Sequence, residues 1–306
     1  MDLEQLVEHH QRRREEAERA YKDLLEPGFE RLAWRQAVTD AGRVVEETIQ
    51  ATLDFGEVEG ALRESGKHVY VLRFFMGPPL SQDQFRLACP QWPKASEGTG
   101  TPLSAAAARA TAEAFARWRD EERVAPFLEG GSEEERRLAV SATVHMMAVN
   151  TYRTVRRMRL ANQQEQEVLE LLRGLGYRQL KSEMVDQPGA LAEDELMHAT
   201  QFKTADGSTH EVDVAVGLPK RTILALECKV SNDSTNSVKR VNDVLKKATA
   251  WKRQWGRTVV TGALLQGVFS HKEPRRLVEE DVEVFWSHRL DELRDWLVAR
   301  RKERAR

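Results

Sequence analysis

The sequence has only two cysteines, Cys89 and Cys228, among its 306 residues. Two thiols cannot supply the disulfide framework of a small secreted domain, and no Cys/His spacing indicates a zinc site. No apolar run is long enough to span a bilayer, and the acidic N-terminus lacks the basic start and apolar core of a signal peptide. These absences predict a protein of the reducing cytoplasm with no membrane contact.

The sequence also lacks several motifs that identify enzyme classes. There is no glycine-rich phosphate loop, no nucleophile elbow and no helicase motif. His198 and His210 have no partner at a spacing that would suggest a metal site or a catalytic triad. Nucleotide hydrolysis by a phosphate-loop enzyme and serine hydrolase chemistry are therefore disfavoured.

Charge is nearly balanced overall but unevenly distributed. With 47 basic and 49 acidic residues, the net charge of −2 says nothing about nucleic acid. Residues 220–257, however, contain ten basic and three acidic residues, a balance of +7. Such a basic block could bind the phosphate backbone of a nucleic acid. The alternative is a helix face that is simply exposed to solvent.

Hydrophobic periodicity divides the chain into two parts. We predict a helical N-terminal domain in residues 1–150 and an α/β domain in residues 151–306, with a mixed central β-sheet flanked by helices. Residues 68–75 fit either a strand or a buried helix turn. The further segments predicted are a helix from residue 132 to 159, a helix at 163–173, a strand at 177–185, an uncertain loop at 187–200, a hairpin at 211–230, a helix at 238–255, strands at 258–265 and 282–286, and a terminal helix at 290–301.

The hairpin carries charge where an ordinary sheet would not. Because strand side chains alternate between faces, Asp213, Glu227 and Lys229 are expected to share one face with small and apolar neighbours. Glu211 lies on the same face, which leaves it as an alternative to Asp213. Two carboxylates and an ammonium are costly to desolvate unless they are paired or metal-bound, so the pattern predicts a functional site or a structural ion cluster.

Asp213 followed by Glu227-Cys228-Lys229, on two strands before a basic helix, resembles the PD-(D/E)XK nuclease superfamily over residues 163–286. The residue before the acid is Val212 rather than proline. The resemblance implies that Asp213 and Glu227 bind Mg²⁺, for which Mn²⁺ can substitute, with the Cys228 carbonyl as a further ligand. Carboxylate oxygens suit this hard cation, and Lys229 would position or activate the attacking water.

A fourth metal-site residue is implied by the helix at 163–173. Glu165 precedes the apolar stripe of that helix, as does a glutamate that reaches the metal region in the superfamily. Glu167 and Glu170 are close enough in sequence to leave the assignment open, and a solvated helix acid is the alternative.

The segment after the hairpin narrows the resemblance to type II restriction endonucleases, most nearly the XamI-like group. Its polar and basic side chains suit phosphates and base edges. Asn236 and Ser237 also fit a helix cap, which is the reading favoured for them. The predicted DNA-binding residues are Ser231, Asn232, Asn236, Ser237, Lys239 and Arg240.

The resemblance implies a Mg²⁺-dependent endonuclease acting on double-stranded DNA as a homodimer, with a cognate DNA methyltransferase as its genetic partner. The helical domain would clamp DNA, mediate dimerisation or do both. The alternatives are a repair, junction or nonspecific defence nuclease of the same fold, and an inactive DNA-binding scaffold.

Overall fold

A computed structural model describes residues 2–24, 27–187 and 189–302, apart from the side chains of residues 27 and 29. Two compact units are distinguished: Met1–Glu26 together with Arg156–Arg306, and Pro27–Val155. The first 26 residues thus group with the α/β part of the chain, whereas the sequence placed all of residues 1–150 in the helical domain. No described helix is long and apolar enough to cross a membrane.

The unit Pro27–Val155 is built from helices around its own apolar core. Segment 68–75, which the sequence left open between strand and helix, is helical, and its residues Val69, Val71, Leu72 and Phe75 are fully or almost fully buried. The helices are α2 (Pro27–Ala51), α3 (Val58–Glu64), α4 (His68–Phe74), α5 (Gln82–Ala88), α6 (Ala95–Thr99), α7 (Ala105–Trp118) and α8 (Glu121–Leu128).

Helix α9 (Glu133–Gly174) includes residues of both units. The sequence predicted two helices here, ending at residue 159 and starting at residue 163, and that division was wrong. The intervening residues Leu160-Ala-Asn-Gln163 contain neither glycine nor proline, so nothing in them breaks the helical hydrogen bonding.

The other unit is a mixed sheet covered by helices, as the fold-class prediction stated. Its strand order within the described residues is β1-β2-β3-β4-β5-β6; the β2–β3 and β3–β4 pairs are antiparallel and the other neighbours are parallel. The elements are β1 (Arg178–Gln179), β2 (Glu195–Lys203), β3 (Thr209–Leu218), β4 (Thr222–Ser231) and β5 (Val259–Gly267), then β6 (Glu283–Trp286), with helices α1 (Leu3–Asp23), α10 (Ser234–Trp255), α11 (Glu273–Glu279) and α12 (Leu290–Lys302).

The predicted hairpin is confirmed as β3 and β4, but its surroundings differ from the prediction. Residues 187–200, predicted as a loop, contain the start of β2, which pairs with β3 along most of its length. The first strand, predicted at residues 177–185, is reduced to Arg178–Gln179 and an isolated bridge from Val185 to Phe202. The hairpin is therefore an interior pair of the sheet rather than its beginning.

The two faces of the sheet pack against different helices. One face carries Val214, Leu226 and Cys228 against apolar residues of α9 and α12. The other carries Ala215, Ala225 and Met197 against Trp251 and Trp255 of α10. Since both faces are covered, any charged side chain between α10 and the sheet must find partners there.

Candidate metal and phosphodiester site

The paired strands β3 and β4 separate where the predicted acids lie. Their register ends at Val214 opposite Leu226, one residue before Asp213 and Glu227. Beyond that point the Cys228 backbone N–H donates to Asp213 Oδ2 at 2.7 Å. A carboxylate thus accepts the bond in place of a strand carbonyl, which satisfies the buried backbone donor and holds Asp213 beside β4.

Alternation of side chains between the faces fails at the same point. Val212 packs in the same cluster as Ala215, although strict alternation would place them on opposite faces. On the neighbouring strand Ala199, between the paired residues His198 and Thr200, has the left-handed φ of +50°. The predicted strict alternation therefore does not hold between Val212 and Ala215.

Lys229 joins the two predicted metal ligands. Its Nζ lies 3.2 Å from Asp213 Oδ2 and 2.7 Å from Glu227 Oε2. Burial alone would lower the pKa of Lys229, but the adjacent carboxylates of Glu227 and Asp213 outweigh it and raise the pKa above the ordinary lysine value. Lys229 is accordingly an ammonium at neutral pH, suited to hold charge and to donate hydrogen bonds.

Glu227 is the most buried group of the site. Its side chain is completely inaccessible, and burial raises the pKa of its carboxyl above the ordinary value although the Lys229 ammonium acts in the opposite direction. A second ammonium, that of Lys247 on α10, lies 2.8 Å from the same Oε2 atom. The two lysines favour the ionised form of Glu227, whereas burial favours the neutral acid.

Sequence reasoning missed Lys247. It lies in the basic block of residues 220–257. Helical periodicity shows only that it is not on the apolar face of its helix. Its Nζ also donates to the Glu211 carbonyl at 2.9 Å. Asp243, one turn earlier on α10 and half exposed, is 3.8 Å from Lys229 and 4.0 Å from Lys247. The helical spacing of four between Asp243 and Lys247 indicates only an ion pair along α10 and not the contact with Glu227.

Glu165 belongs to a separate acidic centre. It lies on α9, and its Oε2 is 2.7 Å from His198 Nε2 on β2. The two side chains are 21% and 28% exposed. Glu165 is near enough to Cys228 to contribute, after burial and Asp213, to the strongly raised pKa of that thiol. His198, for which the sequence showed no partner, therefore has one.

The predicted ligands fit a hard cation. No three described His, Cys, Asp or Glu side chains group closely enough to hold an ion alone. The donors here are two carboxylates and a backbone carbonyl, and Mg²⁺ typically takes few protein ligands and retains water. Glu227 Oε1 is buried with no hydrogen-bond partner among the described residues, so it is the oxygen available to a cation.

The predicted DNA-binding residues divide by accessibility. Ser231 and Ser237 are buried: the Ser231 hydroxyl donates to the Asp233 carbonyl, and the Ser237 hydroxyl accepts from the Ser270 N–H. Asn232, Lys239 and Asn236 are exposed, and Arg240 is partly so. The Asn232 side chain accepts a hydrogen bond from the Tyr21 hydroxyl of α1.

The cap of α10 is Asp233, whose carboxylate accepts from the Asn236 N–H at 2.8 Å. The interpretation of Asn236 and Ser237 as the capping residues was wrong, since both lie inside the first turn. Asp233 takes that place because it directly precedes the helix in extended conformation.

A tight backbone contact holds the segment that follows β4. The Ser231 carbonyl accepts from the Val268 N–H at 2.8 Å. Gly267, at φ +99°, makes this approach possible, because a Cβ there would lie 2.1 Å from the Ser231 carbonyl oxygen. Only glycine fits both the conformation and the space.

Comparisons with known proteins bear on the family of the chain. The XamI restriction endonuclease family matches residues 55–286. The type II restriction enzyme XamI of Xanthomonas campestris pv. amaranthicola is 33% identical over 193 residues, which cover 60% of this chain and 66% of that enzyme. This chain thus aligns with slightly less than two thirds of that relative's length.

A solved structure gives a weaker match. The crystal structure of protein VC1899 from Vibrio cholerae aligns with 87% of this chain and 57% of its own length, at 11% identity and a TM-score of 0.31. A likeness at that score supports no conclusion about the fold or the site.

Proposed function

Because the chain belongs to the XamI restriction endonuclease family, we propose that it is a Mg²⁺-dependent type II restriction endonuclease that hydrolyses phosphodiester bonds of double-stranded DNA at a specific site. The observation that carries the proposal is the position of Asp213, Glu227 and Lys229 together where β3 and β4 separate. The family match spans all three residues.

The metal would be held by Asp213, Glu227 and the Cys228 carbonyl, with Glu165 on α9 as a further candidate. A Mg²⁺ ion held by these residues would supply Lewis-acid chemistry toward a phosphate oxygen and an activated water. Lys229, as an ammonium, offsets the charge that develops on the phosphate and orients the attacking water. Asp213 also keeps β4 in place through the Cys228 N–H.

DNA contact is proposed for the exposed residues that follow β4. Asn232, Lys239 and Arg240 offer amide and cationic groups suited to base edges and phosphates. Asn236 is exposed as well, but Asp233 already engages its side chain at 2.6 Å. Ser231 and Ser237 would need to leave their buried hydrogen bonds to reach DNA, and we propose for them a supporting role.

The proposal also covers the oligomeric state of the protein and its location in the cell. A homodimer with two active sites related by a two-fold axis would cut both strands of a palindromic sequence. Residues 1–150 would contribute to DNA clamping, dimerisation or both. The enzyme would act in the cytoplasm beside a cognate DNA methyltransferase that protects the host sequence.

The test is digestion of unmethylated genomic DNA by the purified protein. With Mg²⁺ or Mn²⁺ we expect discrete bands, and with EDTA no cleavage. A smear in place of bands would indicate a nonspecific nuclease. No cleavage with any divalent metal would contradict the proposal and leave a DNA-binding scaffold, which a mobility-shift assay on the same DNA would detect.

A further inference from the structure

Glu227 is held in an unusual way by two lysines. Lys229 on β4 and Lys247 on α10 approach the same carboxylate oxygen, Oε2, at 2.7 and 2.8 Å. The other oxygen, Oε1, is buried and has no hydrogen-bond partner within the described residues. A buried carboxylate oxygen without a donor is costly, so the arrangement invites an explanation beyond stability.

Lys247 reaches Glu227 from the helix rather than from the sheet. Its side chain is 16% exposed, and a bond of 2.9 Å to the Glu211 carbonyl fixes its position beside β3. It is therefore anchored independently of Glu227. An ammonium anchored in this way can fix the orientation of a carboxylate that it contacts.

We infer that Lys247 is a positioning residue for the metal site: with Lys229 it clamps Oε2 of Glu227 and so keeps Oε1 directed at the cation. This role rests on the proposed metal dependence and adds to it a residue outside the Glu-Cys-Lys strand.

The inference predicts how substitutions at residue 247 change metal affinity. Lys247→Met removes the contact between residue 247 and Oε2 of Glu227. The Glu227 carboxylate can then rotate so that Lys229 contacts both of its oxygens. Loss of a group that orients a metal ligand typically weakens binding by about 10–100-fold. In Lys247→Arg the charge is kept, but a planar guanidinium pairs with both carboxylate oxygens. It would cover Oε1, so affinity should fall there by about tenfold or more.

The experiment is titration of the full-length protein with Mn²⁺ in the absence of DNA, followed by electron paramagnetic resonance, with Mg²⁺ titrated by calorimetry in parallel. The matched control is Lys246→Met, which removes the same charge from the neighbouring, exposed position on α10. We expect Lys246→Met to bind Mn²⁺ as the wild type does. Thermal unfolding of each variant shows whether it is folded.

Each outcome decides the inference. Weaker Mn²⁺ binding by folded Lys247→Met, with Lys246→Met unchanged, supports it, and equal or tighter binding overturns it. If Lys247→Met does not fold, Lys247→Arg decides: weakened binding supports the inference and wild-type affinity overturns it. A wild-type protein that binds neither metal would instead remove the proposed function itself, and the role of Lys247 with it.

Discussion

The two acidic centres of the sheet unit differ in how their charges are compensated. Glu227 is completely buried and contacts two ammonium groups. Glu165, on α9, is 21% exposed and pairs with His198. Desolvation makes a buried charge at Glu227 costly unless both lysines are present. At Glu165, by contrast, water can solvate the partly exposed carboxylate. We therefore expect larger effects of substitution on cleavage at the Glu227 centre than at Glu165.

The largest effect is expected at the buried centre. Asp213→Ala and Lys229→Ala should each abolish cleavage, with a loss of about 10³-fold or more, because charge stabilisation in a water-excluded site is lost. DNA binding, measured by mobility shift, should be largely retained. Asp213→Asn is the gentler companion variant, because its amide oxygen can still accept the Cys228 N–H. Unfolding of these variants would instead identify the three residues as a structural ion cluster.

A smaller effect is expected at the exposed centre. Glu165→Gln should reduce the cleavage rate by about 10–100-fold, the usual range for groups that support a metal site. Glu170→Gln, an exposed acid on the same helix, is the control and should cleave as the wild type does. If Glu165→Gln is as severe as Asp213→Ala, the two centres act as one and the distinction drawn above fails.

His198→Gln tests whether the partner of Glu165 contributes through that residue. The substitution removes one hydrogen bond and leaves the carboxylate in place, so a loss of cleavage of no more than about tenfold is expected. In a Glu165→Gln background the same substitution should add little, because residues acting through one another are not additive. A larger loss from His198→Gln than from Glu165→Gln, measured as single-turnover rates, would show that His198 acts on its own.

The smallest expected effect is on the free energy of unfolding of variants at the two centres. Urea unfolding of Glu165→Gln should show a loss below about 1 kcal/mol, because the pair is partly exposed. Glu227→Gln removes a carboxylate from two charge-assisted hydrogen bonds in a buried site, so its loss should be larger, about 2 kcal/mol. Equal losses would mean that burial does not distinguish the centres.

The hairpin and the order of its charged residues were predictable because they depend on neighbours in sequence. Alternating β-branched residues and the order Glu227-Cys228-Lys229 are local patterns, and so is the apolar stripe of α10. The extent of α9 was missed although Leu160, Ala161 and Gln163 favour a helix and residues 160–163 contain no glycine or proline. The start of β2 was missed because its pairing with β3 is a tertiary contact and not a feature of its own composition.

The other partners of the site could not be predicted for a related reason. Lys247 meets Glu227 across 20 residues, and His198 meets Glu165 across 33. Such contacts depend on how α10 and α9 are placed on the two faces of the sheet. The loss of alternation between Val212 and Ala215 likewise leaves no mark in the residue pattern. Sequence periodicity assumes a regular strand and cannot locate such an irregularity.

Gly267 has a consequence for reading sequence variation in this family. Gly267 has no side chain that could take part in chemistry, yet any side chain there would collide with the Ser231 carbonyl and displace the polar segment that follows β4. A saturation-mutagenesis screen scored by cleavage would rank this position among the least tolerant of the sheet unit. That intolerance would reflect shape alone, and it would be indistinguishable by activity from the loss of a residue that reads DNA.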